Sequence, residues 1–441
     1  MLAAIGFGII IVMMYMILRE KALPAVCFVF LPIIGAFLAG FSVEEIAEFV
    51  KTGIGTTWSN AILFVFSIIF FGVMNDAGLF DKLVDGLLKV AGTNVIMIMV
   101  ATTVIAIIGH MDGATASTYL ITIPVMLPIF KRLNLRPTVL LLLVSAATGV
   151  MNLVPWGGPT IRAATAIGVD ANDLWIAMIP MQIFGLVIAL ALAVFFGFVE
   201  QKRIAVLGTT GGSGSLSELT VNASSTGCYG GTADESLKRP KLLWFNLLLT
   251  IAVIVLLVVN IFPSYVVFMF GMLIALMVNY PDIKVQQQRI QAHAPGCIGL
   301  VVTLIGAGVF LGVFSNSGMI EAMTNFLIAL LPESLQQYLH IIVSILGAPI
   351  GMIMGPDPYY YGVLPIIAGT VERFGITPVQ VAHAMLIGEN VALAVSPCVP
   401  TTFLAMGLAG VELKDHIKFS FKWLWGISIL MMVFALVVGM I

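Results

Sequence analysis

Two short polar stretches, His110-Met-Asp-Gly-Ala-Thr-Ala-Ser-Thr118 and Met354-Gly-Pro-Asp-Pro-Tyr-Tyr-Tyr361, each lie between two apolar segments. Non-helical backbone at membrane depth is tolerated only where it is buried in protein or lines a cavity. The helix after each tip would point its free N–H groups and its positive dipole end into that cavity, which suits an anion. The acidic residues of the tips, Asp112 and Asp357, would then need an accompanying cation or proton, or would simply cap the next helix.

The composition places the chain in a lipid bilayer. Of its 441 residues 60% are hydrophobic and 10% are charged, and the mean hydropathy is +1.10, whereas a soluble domain carries about 25% charged residues. Apolar segments of about 20 residues, enough to cross roughly 30 Å of hydrocarbon, recur throughout. The net charge of −2 argues against nucleic acid as a partner. The segment 2–18 is interpreted as a retained helix and not as a signal peptide.

The chain divides into two related halves at the polar, Gly- and Ser-rich segment 200–241, which is predicted to be a flexible linker. Three pairs of segments align at nearly one offset: Phe71–Asp81 with Leu311–Glu321 (240), Gly109–Tyr119 with Gly351–Tyr361 (242), and Pro159–Thr160 with Pro400–Thr401 (241). The prediction is therefore a first repeat at 1–199 and a second at 242–441.

Lys and Arg clusters in the short loops predict the orientation. They fall on one side only if 94–131 and 339–370 are re-entrant hairpins that enter the membrane and return. Each half is then all-α, with five crossings, one hairpin and one broken helix, at about 138–165 and 379–408. Because five is odd, the second half is inverted relative to the first. Both termini are predicted outside and the linker in the cytoplasm.

Two amphipathic stretches, 43–57 and 80–91, are predicted to lie as helices in the membrane interface. Three histidines near the ends of apolar segments, His293, His340 and His416, are predicted at the surface.

Two proline-containing breaks, Asn152–Thr160 and Asn390–Thr402, interrupt long apolar segments at matched places. Proline removes backbone donors and breaks a helix, which frees carbonyls for a cation and amides for an anion; a plain proline kink is the alternative. The substrate-binding residues predicted from the tips, the breaks and the segment after the first break are Asp112, Gly113, Thr115, Ser117, Thr118, Asn152, Gly157, Gly158, Thr160, Arg162, Asp357, Tyr359, Asn390, Ser396, Thr401 and Thr402.

Arg162 lies within an otherwise apolar helix, where an arginine is costly and commonly marks a substrate or ion pathway. Its planar guanidinium suits a carboxylate, although it could instead reach the outer interface or form a structural pair. The candidates for proton coupling are His110, Asp76, Glu389 and His383. No HExxH, GxSxG or Walker motif is present, so the sequence predicts a transporter driven by ion gradients and not an enzyme.

The tips and breaks resemble the citrate–divalent metal–proton symporter family of bacteria. The likeness lies in MDGATASTYLITIPVMLPIFKRLNL (111–135), GVMNLVPWGGPTIRAATAIGV (149–169) and NVALAVSPCVPTTFLAMGLAGVEL (390–413), and it covers nearly the whole chain except the linker. The family is similar to the wider ion transporter superfamily, whose divalent anion/sodium symporters dimerise through a scaffold domain and move a transport domain like an elevator. The tips MDGATAST and MGPDPYYYG depart from the family pattern, so the metal or acid accepted could differ.

The resemblance implies import of citrate complexed with Mg2+ or Ca2+, together with protons, by a homodimer in the bacterial cytoplasmic membrane. The divalent metal would travel as part of the substrate, with Asp112 and Asp357 as its candidate protein ligands, and no other cofactor is expected. One divalent metal ion reduces citrate3− to a monoanion and offers a partly filled shell to oxygen ligands. The alternatives are a proton- or sodium-coupled transporter of another carboxylate and a cation/proton antiporter of the same superfamily.

Overall fold

The computed structural model describes residues 1–19, 21–92, 94–208, 235–397 and 399–441, and within these ranges it contains helices and no strand. The helices of the first half are α1 (Leu2–Leu18), α2 (Pro24–Ala39), α3 (Val43–Asp76), α4 (Asp81–Ala91), α5 (Val95–Gly109), α6 (Thr115–Arg132), α7 (Pro137–Met151), α8 (Gly158–Ile167) and α9 (Ala171–Gly208). Those of the second half are α10 (Leu243–Val259), α11 (Ser264–Asn279), α12 (Ile283–Asn316), α13 (Met319–Leu330), α14 (Glu333–Gln336), α15 (Leu339–Ile345), α16 (Gly347–Met354), α17 (Leu364–Val371), α18 (Pro378–Glu389), α19 (Pro400–Ala409) and α20 (Leu413–Val437).

The lengths and apolar composition of these helices fit a membrane protein. In the described part of the chain, six helical segments are long and apolar enough to cross a bilayer, and seven shorter apolar helices accompany them. The all-helical class predicted from the sequence is thereby confirmed. The number of crossings and the re-entrant course of the hairpins stay predictions.

The predicted hairpins and breaks correspond to interruptions between helices. The first tip, 110–114, joins α5 to α6, and the first break, 152–157, separates α7 from α8. In the second half, α16 is followed by the tip and a π-helical turn, Pro358–Val363, and a 3-10 segment, Asn390–Val395, separates α18 from α19. These interruptions bring non-helical backbone into the interior of the helical assembly.

Helices α3 and α12 pack closely through glycine. A methyl group added to Gly53 would lie 2.0 Å from the carbonyl oxygen of Gly308 and 2.6 Å from the Cα atom of Gly312. Farther along the same pair of helices, the ring of His293 fills the space beside Gly72, where an added methyl carbon would lie 2.5 Å from Nδ1. Small residues thus let two long apolar helices, α3 and α12, approach backbone to backbone, as is common within membranes.

Two boundaries differ from the sequence predictions. The stretch 43–57 is no separate interfacial helix but the first part of α3, which starts at a capping box formed by Ser42 and Glu45. Helix α9 continues to Gly208, so the first residues of the predicted linker are helical; residues 209–234 of that linker lie outside the described residues. The stretch 80–91 does form a separate helix, α4.

The histidines predicted at the surface are buried. His293, His340 and His416 have exposed fractions of 5%, 4% and 0%. His293 lies against Asp76, and His416 contacts the Ser420 hydroxyl at 3.1 Å. The prediction was wrong because it used only the position of each histidine near the end of an apolar segment. That position does not show whether a neighbouring helix buries the side chain.

The α3–α12 contact predicts a difference between two glycines of α3. Gly53→Ala places a methyl group into backbone of α12, and we expect a loss of stability of about 1–3 kcal/mol from overpacking. Gly55→Ala is the matched control, because no atom lies within 4 Å of its added methyl group and both changes gain the same helix propensity. Thermal unfolding of the detergent-purified variants measures the difference. Equal melting temperatures for the two variants would rule out this close packing.

Candidate functional site

A cavity lies where the first tip and the two breaks meet. The residues that line it are Thr115, Thr148, Gly149, Asn152, Asn390, Leu393, Ala394, Val399 and Thr401. They come from both halves of the chain, and they include the first residue of α6, Thr115, and the second residue of α19, Thr401. Of the sequence-predicted site residues, Thr115, Asn152, Asn390 and Thr401 therefore share one cavity.

The first tip is held by its own turn and by the neighbouring break. Asp112 accepts a hydrogen bond of 2.8 Å from the amide of Ala114 and a further one from the Ser117 hydroxyl, so it stabilises the turn that precedes α6. The indole Nε1 of Trp156 donates to the carbonyl oxygen of Met111 at 2.8 Å. Gly113 has φ +71°, and a side chain there would meet the Trp156 ring at 2.8 Å. The tip conformation thus requires glycine at this position.

His110 links the first tip to the first break. Its Nδ1 lies 2.7 Å from the Thr118 hydroxyl and its Nε2 lies 2.8 Å from the side-chain oxygen of Asn152. The backbone oxygen of Asn152 accepts a hydrogen bond of 3.1 Å from the Thr160 hydroxyl. The predicted residues of tip and break therefore form one buried polar network whose edge, Asn152, faces the cavity.

In the second break, as in the first, a threonine hydroxyl donates to a backbone carbonyl oxygen. The Thr402 hydroxyl donates to the carbonyl oxygen of Ala394 at 3.2 Å, across eight residues as in the Thr160–Asn152 bond. The Ser396 hydroxyl donates to the carbonyl oxygen of Met352 at 3.2 Å and so connects the break to α16. Both breaks thus satisfy carbonyl groups that an intact helix would have paired.

Arg162 and Asp357, predicted for different parts of the substrate, contact each other. The guanidinium Nε donates to Asp357 Oδ1 at 2.5 Å, and the two side chains are only 15% and 14% exposed. This pair joins α8 of the first half to the second tip, which packs against α8. The alternative of a snorkelling arginine does not hold for this conformation.

Glu389 is the buried carboxyl of the second half. The hydroxyl of Tyr360 donates to its Oε2 at 2.8 Å, while Oε1 has no hydrogen-bond partner among the described residues. Its neighbour Asn390 is fully buried, faces the cavity, and makes no hydrogen bond through either side-chain atom within that same part of the chain. Unpaired polar groups of this kind are rare in folded proteins and suit a ligand.

The structure separates other predicted residues from the cavity. Asp76 lies 2.7 Å from the His293 ring and 3.3 Å from Arg289, both on α12. His383 contacts the carbonyl oxygen of Leu174 at 3.1 Å. The hydroxyl of Tyr359 lies 3.5 Å from the carbonyl oxygen of Val343 and not at the cavity.

The sequence prediction missed two kinds of site residue. Tyr360, which holds Glu389, follows Thr118 by the same 242 positions that relate the two tips, so the repeat alignment could have found it. Thr148, Leu393 and Val399 line the cavity without any sequence signal of their own. Within the described residues no group of three His, Cys, Asp or Glu side chains is placed to hold a metal ion.

Comparison with known proteins shows the family of the chain. The family model described as Citrate transporter matches residues 1–388. The chain belongs to the citrate transporter family. It is 37% identical over 441 residues to a protein named Citrate transporter from Bacillus subtilis (strain 168), with full coverage of both chains. It is 36% identical to the Mg(2+)/citrate complex secondary transporter of the same strain, covering 100% of this chain and 99% of the relative.

A solved structure supports the fold. The YdaH transporter of Alcanivorax borkumensis superposes with a TM-score of 0.56 over 90% of each chain, at 14% sequence identity. At this identity the similarity shows the fold alone. A multi-pass helical membrane transporter of the citrate transporter family is thus the established class of this chain.

The hydrogen-bond network predicts that substitution of one cavity asparagine, but not of the other, lowers the stability when no substrate is present. Asn152→Ala leaves the Nε2 atom of buried His110 without its partner, and we expect a loss of about 1–3 kcal/mol in stability. Asn390→Ala removes an amide that makes no hydrogen bond in the described structure, so its melting temperature should stay close to that of the wild type. Thermal unfolding in citrate-free buffer checks this, and an equal loss for both variants would contradict the assigned network.

Proposed function

We propose that this member of the citrate transporter family is a secondary active symporter that imports citrate complexed with a divalent metal ion, together with protons. The observation that carries the proposal is the cavity shared by both breaks, with the unpaired amide of Asn390 on its wall. Two helices, α6 and α19, begin at this cavity with Thr115 and with Pro400, next to the lining residue Thr401. Helix N-termini favour anions through their free N–H groups and dipoles.

Charge favours a metal complex over free citrate. A trianion would have to lose a large hydration free energy on entering a mostly neutral cavity. One divalent cation lowers the net charge to −1 and adds coordination sites for oxygen ligands, which Asp, Thr and Asn side chains supply. The name of the second relative, a Mg(2+)/citrate complex transporter, supports the same substrate for this chain.

We propose the inverted-repeat architecture and elevator movement on the basis of matched contacts. Helices α3 and α12 each contain 34 residues. At the offset of 240, Gly53 corresponds to His293, and Gly72 corresponds to Gly312. The close contact Gly53–Gly312 therefore has His293–Gly72 as its counterpart, and both contacts are present. In the same way, α6 packs against α19 as α8 packs against the second tip. A transport domain built from the tips and breaks, moving against a scaffold that contains α3 and α12, is consistent with this symmetry.

Contacts between loops support the proposed sidedness. Arg136 pairs with Glu200 of α9 at 2.5 Å, so two segments predicted in the cytoplasm meet. The Ser264 hydroxyl lies 3.3 Å from Asp170, so two loops predicted outside also meet. Outside termini, a cytoplasmic linker and a homodimer complete the proposal.

Among the four candidates for proton coupling, the contacts favour Glu389. Asp76 has His293 and Arg289 as partners, and both ring nitrogens of His110 are engaged. Glu389 forms no salt bridge within the described residues and keeps one oxygen without a partner. An unpaired buried charge is costly, so this carboxyl is expected to be neutral until the cavity changes its surroundings.

Uptake of labelled citrate into proteoliposomes tests the function. With an alkaline interior, we expect uptake when Mg2+ or Ca2+ is present and little uptake in metal-stripped buffer. Uptake of citrate that is indifferent to metal would favour a plain carboxylate transporter. Sodium or proton exchange without citrate would favour the antiporter alternative.

The Glu389→Gln variant tests the coupling. It preserves the size of the side chain and an oxygen that accepts from the Tyr360 hydroxyl, but it removes the titratable carboxyl group. We expect stimulation of uptake by the pH gradient to fall to near one-fold, whereas citrate counterflow between preloaded and external pools persists. Asp76→Asn is the control that should keep the response to pH, since Asp76 is paired with α12. A Glu389→Gln variant with wild-type stimulation would exclude Glu389 as the coupling group.

A further inference from the structure

The Arg162–Asp357 pair differs from the other short Arg–carboxylate pair of the described structure. Glu200 is saturated: it accepts bonds from Arg136 at 2.5 Å and Arg203 at 2.8 Å, and from the backbone amide of Arg136 at 3.2 Å. Asp357 accepts one hydrogen bond among the described residues, from Arg162. A carboxylate has about four lone-pair positions, so Asp357 keeps free capacity for a further cationic or donor group.

The offset between the two halves relates the pair to residues that line the cavity. Thr115 lines the cavity, and Asp357 follows it by 242 positions, the offset of the two tips. Thr401 also lines the cavity, and it aligns with Thr160, two residues before Arg162, at an offset of 241. The tip that carries Asp357 packs on α8, the helix that contains Arg162. Asp357 thus corresponds to a cavity-lining residue of the first tip, and Arg162 lies two residues after the counterpart of another.

We propose that Arg162 and Asp357 together select the metal complex over free citrate. A carboxylate of citrate replaces Asp357 at the guanidinium of Arg162, and Asp357 enters the coordination shell of the metal ion. One ion pair is exchanged for two, and both protein charges remain compensated. This inference rests on the proposed function and specifies which residues distinguish the metal complex from free citrate.

The selectivity follows from charge compensation. Free citrate would pair with Arg162 but would leave Asp357 uncompensated and facing further carboxylates. A free divalent cation would pair with Asp357 and leave Arg162 without a partner. Breaking a buried pair by satisfying only one member is strongly unfavourable. Rejection of the wrong ligand by an unpaired charge is a common source of specificity.

Binding to the purified full-length protein tests the proposal. Isothermal titration measures the dissociation constants of citrate in metal-stripped buffer and of citrate with Mg2+ in excess, and their ratio is the metal preference. We expect the wild type to prefer the Mg2+ complex and Asp357→Asn to lose at least tenfold of that preference. Asp357→Glu, which keeps the carboxylate, should retain it. Glu200→Gln, which breaks the saturated pair elsewhere, should lower the melting temperature without changing the ratio.

The outcomes separate the two proposals. A wild type that binds neither form of citrate overturns the proposed function. A wild type that prefers the complex, with an Asp357→Asn variant of equal preference, overturns only the role of the pair. If Asp357→Asn does not fold, the double variant Arg162→Gln/Asp357→Asn removes both charges and leaves neither unpaired. Wild-type preference in that double variant also overturns the inference.

Discussion

Backbone groups within the hydrocarbon layer must find their hydrogen-bond partners inside the protein, and this constraint governs both helix breaks. In the first break Thr160 supplies a hydroxyl to the carbonyl oxygen of Asn152, and in the second Thr402 does the same for Ala394. Trp156 satisfies the carbonyl oxygen of Met111 and fixes the first tip against its break. Because the interrupted backbone is compensated locally, the two breaks can lie side by side and leave a cavity between them.

The buried charged residues of the tips, the breaks and their flanking helices have three kinds of partner. Asp112 accepts hydrogen bonds within the turn before α6, Arg162 and Asp357 compensate each other, and Glu389 has a tyrosine hydroxyl as partner but no salt bridge among the described residues. The walls of the cavity are neutral amides, hydroxyls and apolar groups. Such a site is suited to a ligand that brings its own counter-charge, since neither a bare anion nor a bare cation satisfies all the groups present.

The parts of the fold that depend on local sequence were predictable. Proline pairs, Gly-rich tips and the common offset of the halves located both interruptions, because these signals act on neighbouring residues. The Arg162–Asp357 contact spans 195 positions and has no local signal. The choice of Tyr360 over Tyr359 depends on a π-helical turn at Pro358–Val363, which changes the rotation per residue and so the face that each side chain takes. The buried histidines and the uninterrupted α3 likewise depend on helices far along the chain.

A structure determined with Mg2+ and citrate bound tests most directly whether the cavity between the breaks is the substrate site. The ligand should lie within hydrogen-bonding distance of Asn390 and the N-terminus of α6, with a citrate carboxylate at Arg162 and the metal ion beside Asp357. Ligand density elsewhere, with this cavity empty and the Arg162–Asp357 pair intact, would contradict the assignment.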